Sequence, residues 1–170
     1  LAQASLAVEA ATESLDPLVV AHSTFMLGFC HLWRSECEEA VSVLGRALRL
    51  AERIGDAERV VLCLSYLAVV HRKRGDISSV RTVVERALTA ATESRMGAYV
   101  ALGRANQAWL AWRHRDLAAT RDHGLAALSG WGQLSFPARG FALWPLTGST
   151  LAKDRLAGAI DHVRAMLAPD

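Results

Sequence analysis

The chain has 170 residues, 52% of them hydrophobic and four of them proline, with a formal net charge of +2. That length and apolar share suit one domain with a sizeable core and exclude a disordered chain. The small net charge excludes nucleic-acid binding by bulk electrostatics alone, and the absence of an uninterrupted apolar run of about 18 residues excludes a membrane-spanning helix.

Residues 1–14, LAQASLAVEAATES, read as a helix, the second of a hairpin whose first helix is missing. The chain opens on Leu1, already inside that pattern and with no signal peptide visible, so it reads as a piece of a longer protein. Asp16-Pro17 is a cap followed by proline at the first helical position and starts a helix over about 17–34. Further helices are expected over about 37–54, 57–74, 77–94, 98–114 and 117–129. SGWGQLSFPARG follows, the longest break in the pattern and the expected hinge or irregular loop. Pro145 lies inside FALWPLTGSTLA, so that helix starts near it or kinks there. The last helix covers about 155–168.

The clearest hairpin is 56–94. Asp56 caps its first helix, and Gly55 before it suits the left-handed end of the previous one. VVLCLSYLAVV, Val60 to Val70, is apolar almost all round and must be buried on more than one side. Gly75 stops this helix and Asp76 caps the next. There Ile77, Val80, Val83, Val84, Ala87, Leu88 and Ala91 form one helical stripe, with Arg81, Glu85 and Arg86 facing water.

Shifted by 40 positions, the chain lines up with itself. Gly28, Ala68 and Ala108 coincide, as do Glu36, Asp76 and Asp116, then Ala47, Ala87 and Ala127, then Leu48, Leu88 and Leu128. His31 and His71 also coincide, with Ala111 in the third copy. Leu156, Ala159 and Leu167 match Leu117, Thr120 and Leu128 at a spacing of 39. Small residues at fixed places let neighbouring helices approach closely.

Leu67-Ala68, Gly75-Asp76 and Ala87, with Leu27-Gly28, Ala40 and Ala47, resemble the tetratricopeptide-repeat pattern. The period of 40 exceeds the usual ~34 and is similar to the long-repeat variety of large bacterial ATP-binding regulators, LuxR-type activators and related signalling ATPases. LAERIGD, YLAVVHRKRGD and ANQAWLAWRHRD carry that likeness. It implies an all-α fold, a right-handed α-α superhelix of about four antiparallel hairpins in one domain over 1–170. The repeats fall at about 17–54, 57–94, 98–129 and 138–168. Ser35 and Arg115 stand where the pattern has the turn glycine, and Gln107 where it has a core leucine, so repeats one and three are expected to pack less regularly.

The resemblance places a concave groove on the first helices. It is lined by His22, Phe25, Phe29 and Leu32, then Leu62, Ser65, Val69 and Arg72, then Leu102, Ala105, Trp109 and Trp112. Aromatics and arginine anchor interfaces, so this surface fits an acidic or amphipathic helix or peptide. The alternative for Phe25, Phe29, Trp109 and Trp112 is core packing. HRKR at 71–74 reads as a solvated helix end whose charges suit the helix dipole, not as a nucleic-acid patch.

His31 and His71 have no ligand set around them, and Cys30 and Cys37 match no zinc signature. Cys30, Cys37 and Cys63 are an odd number in helical context, which favours a reducing cytoplasm over a disulfide framework. No phosphate loop, dinucleotide fingerprint or hydrolase motif occurs. The expectation is a non-enzymatic, cofactor-free, metal-free interaction or signal-input module of a bacterial transcriptional regulator. Its partner is a protein, a peptide or another domain of the parent chain, and it binds neither nucleic acid nor membrane. The alternatives are an inducer receptor with Trp109, Trp112 and Arg72 lining the site, or a stand-alone scaffold. Self-association through an end, or through the helix at 155–168, would cover an apolar face.

Overall fold

The structure is a computed structural model that describes residues 1–170 except 15, 133–139, 153–154 and 168–170. Among the described residues there are nine helices and no strand. They are α1 (Ala2–Ser14), α2 (Pro17–Trp33), α3 (Cys37–Ile54), α4 (Ala57–Arg74), α5 (Ile77–Glu93), α6 (Gly97–Arg113), α7 (Leu117–Trp131), α8 (Gly140–Leu151) and α9 (Leu156–Leu167). The chain divides into two compact units, Leu1–Ala90 and Ala91–Asp170.

The 40-residue period resolves into two half-periods. Residues 35, 55, 75, 95 and 115, each 20 apart, all have positive φ, between 57° and 71°. At each turn the next amide donates to the carbonyl five residues back: Glu36 to His31, Asp56 to Ala51, Asp76 to His71, Met96 to Ala91 and Asp116 to Ala111, at 2.9–3.0 Å. This is the long bond of a Schellman cap, which satisfies carbonyls the helix end leaves open. A helix of 17 or 18 residues plus this turn sets the spacing. Sequence expects looser packing where Ser35 and Arg115 replace the turn glycine. The backbone keeps the same turn at both, and at Arg95, by holding a side chain in the left-handed region.

The aspartates start the helices as expected. Asp16, Asp56, Asp76 and Asp116 accept hydrogen bonds from the backbone N–H of Leu18, Arg59, Ser79 and Ala119 at 2.9–3.0 Å. Glu36 makes no such cap. Its carboxylate bonds instead to His31 Nδ1 at 2.7 Å and to Arg34 Nε at 2.8 Å.

In the first unit α4 packs against both α3 and α2. Val61 to Ser65 and Leu67 to His71 are buried, as an all-round apolar helix requires. Small residues bring the helices together: Ala21, Ala40, Ala47, Ala51 and Ala68 are fully buried. In the second unit Trp131 is the largest fully buried side chain, in a cluster with Ala101, Leu102, Ala105, Ala127 and Ala142. Its indole N–H donates to the Ala98 carbonyl at 2.9 Å. The expected break after 129 is thus shorter at its start, because α7 continues to Trp131 to place this ring. The remainder of that break, 133–139, lies outside the described residues. Pro145 is inside α8 and buried. Gln107, in place of a core leucine, stays half-exposed on α6 and accepts from Arg104 at 2.9 Å.

Candidate interaction face

The mean hydropathy of the whole chain is modest, yet α2 is almost entirely apolar, PLVVAHSTFMLGFCHLW. One side of it fills the core, with Ala21, Thr24, Phe25, Leu27, Gly28 and Leu32 buried. The other side stays open. Leu18 is 57% exposed, Met26 39% and Trp33 63%, with His22 exposed and Phe29 half-buried between them. Positions 18, 22, 26, 29 and 33 are spaced four, four, three and four apart, so they share one helical face.

The rings on this face stack in order. Phe29 lies 6.1 Å from Phe25 and meets Trp33 edge-on at 5.7 Å between centroids. Tyr66 of α4 closes the group, edge-on to Phe29 at 4.9 Å and tilted against Phe25 at 5.9 Å. Tilted and edge-to-face pairs are the favoured aromatic geometry. The Arg59 guanidinium stands 5.5 Å over the Phe25 ring, and Asp56 holds it from the side at 3.7 Å.

Of the residues that sequence puts on the groove wall, Phe25, Leu32, Ser65, Val69, Ala105 and Trp109 are buried, as are Leu62 and Leu102. They offer a partner little surface. His22 is exposed, and Phe29, Arg72 and Trp112 are half-buried. The open strip of α2 is turned by about one residue from the expected one: Met26 and Trp33 take the places of Phe25 and Leu32. Sequence reasoning passed over Trp33, Tyr66 and Arg59. The spacing of four between Phe25, Phe29 and Trp33 was the signal for Trp33; nothing in the sequence marks Tyr66 over its neighbour Ser65.

The basic run 71–74 is not merely a solvated helix end. Lys73 Nζ donates to the Leu32 carbonyl and to Ser35 Oγ, both at 3.2 Å, and so ties α4 to the end of α2. Arg74 pairs with Glu38 of α3 at 3.1 Å. His71 is buried beside Asp76 at 3.7 Å, and burial lowers its pKa. Burial also brings the Arg72 pKa down to about 10, which leaves it charged at neutral pH. His31 and His71 each turn to the acid that starts the following helix, not to one another. Cys30, Cys37 and Cys63 are free thiols, and burial pushes Cys63 up to about 12. No group of histidine, cysteine and carboxylate side chains able to hold a metal occurs among the described residues. No described helix is long and apolar enough to cross a membrane.

In the second unit Arg113 lies 5.8 Å over the Trp109 ring. Trp112 packs on Gly148 of α8 so closely that a Cβ there would stand 2.6 Å from the indole nitrogen. A cavity of about 480 Å³ opens beside it, lined by Trp112, Arg113, Arg115, Leu117 and Ala152.

Five successive helices of 17 or 18 residues, α2 to α6, each closed by the same turn and packed on small residues, give the fold of a tetratricopeptide-like helical repeat. The family model described as "Tetratricopeptide repeat" matches residues 20–93, from within α2 to the end of α5. The fold is similar to that of RapI in its apo form, with a TM-score of 0.79 at 15% identity over 96% of this chain. It is also similar to BtubC (BKLC) from P. vanneervenii, with a TM-score of 0.76 at 18% identity over 96% of this chain. The chain spans 60% of the RapI chain and 68% of the BtubC chain. No curated protein sequence matches it.

Proposed function

We propose that this chain is an interaction module that holds an amphipathic, acidic helix along α2, supplied by a partner protein or by another part of the parent chain. The observation that carries the reading is the open apolar strip Leu18, Met26, Phe29 and Trp33. A helix of 17 residues is about 25 Å long, room for four or five turns of a partner whose apolar residues repeat at three and four. Exposed apolar surface of that length marks a contact site. Trp33 is the anchor, held by Phe29, and Tyr66 is the wall. Arg59 and Arg72 on α4 favour acidic residues at the partner's edge.

The likeness to long-repeat bacterial regulators supports a place within such a parent chain. There, occupancy of the strip biases an ATP-binding switch elsewhere, by as much as the affinities of its two states differ. Selection from a displayed library of helical peptides tests the reading. The enriched peptides should combine apolar residues at three-and-four spacing with flanking Asp or Glu, and should lose enrichment on a Met26→Ala, Trp33→Ala variant. Equal enrichment on both proteins would overturn it.

A second reading, self-association, has one observation in its favour. On α9 only Ala159 is buried, while Leu156, Ile160, Val163 and Leu167 are exposed along one face. Sedimentation of wild type against Ile160→Glu decides it: a dimer that the substitution dissociates supports the reading, and a monomer in both sinks it.

A further inference from the structure

Within the first unit α1, α2 and α3 line an open cleft of about 620 Å³, apart from the α2–α4 strip. That volume falls in the range of small-molecule sites, about 300–1,000 Å³. Its apolar lining is Val8 of α1, Val20 of α2 and Leu50 of α3, all half-buried. Its cationic lining comes from α3 alone: Arg46, Arg49 and Arg53, all exposed at the cleft's rim and spaced three and four apart on one helical face. None of the three guanidiniums has an ion-pair partner among the described residues. Glu52, also on the wall, is paired with Arg86 of α5 at 2.7 Å. Three like charges at this spacing repel one another along the helix. A bound anion would relieve that repulsion and accept their charge-assisted hydrogen bonds.

We propose that this cleft binds a small amphipathic anion. Its carboxylate or phosphate lies between Arg49 and Arg53 or Arg46, and its short apolar body rests on Val8, Val20 and Leu50. The pairing of an apolar floor with several forked donors selects against two simpler ligands. A neutral apolar molecule would leave the arginines unanswered, and a bare inorganic anion would leave the floor wet.

The test is calorimetric titration of the full chain with octanoate and with hexyl phosphate, below their micellar concentrations. Octanol and inorganic phosphate are the controls, and circular dichroism of each variant confirms the fold. The proposal expects one-to-one binding of at least one amphiphile, weakened roughly tenfold or more by Arg49→Gln with Arg53→Gln. Val20→Asp, which puts a charge on the floor, should abolish it. Which amphiphile binds more tightly separates a carboxylate from a phosphate ligand. Binding of neither amphiphile, binding equal in the double variant, or inorganic phosphate binding as tightly as hexyl phosphate would each overturn the proposal.

Discussion

Gly28 of α2 lies so close to Leu44 of α3 that a Cβ built on it would stand 2.8 Å from the Leu44 side chain and 3.0 Å from its backbone nitrogen. The side chain can rotate a little; the backbone atom cannot leave without moving α3. Gly28→Ala should therefore destabilise the chain by about 1–3 kcal/mol, the usual cost of overfilling a packed core. The shift of the urea midpoint reads it. Gly45, with only Arg49 at 3.6 Å from its added Cβ, is the control: Gly45→Ala on the same bench should be neutral or stabilising.

The left-handed turn residues give a second prediction. Arg95 and Arg115 hold φ of 57° and 61°, where glycine is at no disadvantage and other residues are. Arg95→Gly and Arg115→Gly should each raise stability by up to about 1 kcal/mol, the backbone relief less the extra chain entropy of glycine. Gly75→Ala, at φ 71°, should lower it by a similar amount. Thermal melts of the three variants decide the matter. A drop in melting temperature on both arginine replacements would contradict the shared-turn account.

Acid should weaken the fold in two stages. Burial lowers the His71 pKa below its ordinary 6.5, and Asp76 beside it raises it without cancelling the effect; Arg74 lowers it further and Glu38 opposes. His123 is lowered too, by burial and then by Arg104. In the window just below 6.5 the unfolded chain binds more protons than the folded one, so stability falls as pH falls through it. At lower pH two carboxylates act. Glu36 is held down by hydrogen bonds from Arg34 and His31, and Asp76 by those from Ser79. Their contribution is present at neutral pH and lost as pH drops through their folded values. Unfolding free energy measured from pH 7.5 to 5 should decline, and His71→Asn should flatten the slope. A flat profile in the wild type would contradict this assignment.

The repeat could be read in the sequence because its determinants are local. Asp56, Asp76 and Asp116 are caps by chemistry, Gly55 and Gly75 are turn residues by backbone freedom, and the apolar run from Val60 has no amphipathic face. Ser35, Arg95 and Arg115 hid the 20-residue half-period, since nothing in those side chains announces a left-handed backbone. Trp131 falls in a glycine-rich stretch of the sequence that gives no sign of burial, because its anchor, the Ala98 carbonyl, is 33 residues away. The open apolar face of α2 is legible in the sequence only to within one residue. A helix as apolar as α2 has no polar side to show which way it is turned, so Phe25 and Met26, or Leu32 and Trp33, are equal candidates until α3 and α4 are in place. The roles of Lys73 and Arg74 were missed for the same reason. Their partners, Leu32, Ser35 and Glu38, belong to the preceding hairpin.

The most direct test of the central claim is a calorimetric titration with one designed peptide. It is an 18-residue helix with leucines at three-and-four spacing on one face and glutamates on the others, titrated into wild type and Trp33→Ala. Trp33 is 63% exposed, so its removal should leave the melting temperature nearly unchanged. If α2 carries the contact, the peptide binds the wild type one-to-one. Loss of an anchoring tryptophan then costs about 2 kcal/mol or more, a weakening of roughly thirtyfold. Equal affinity for the two proteins, or no binding to either, would contradict the account.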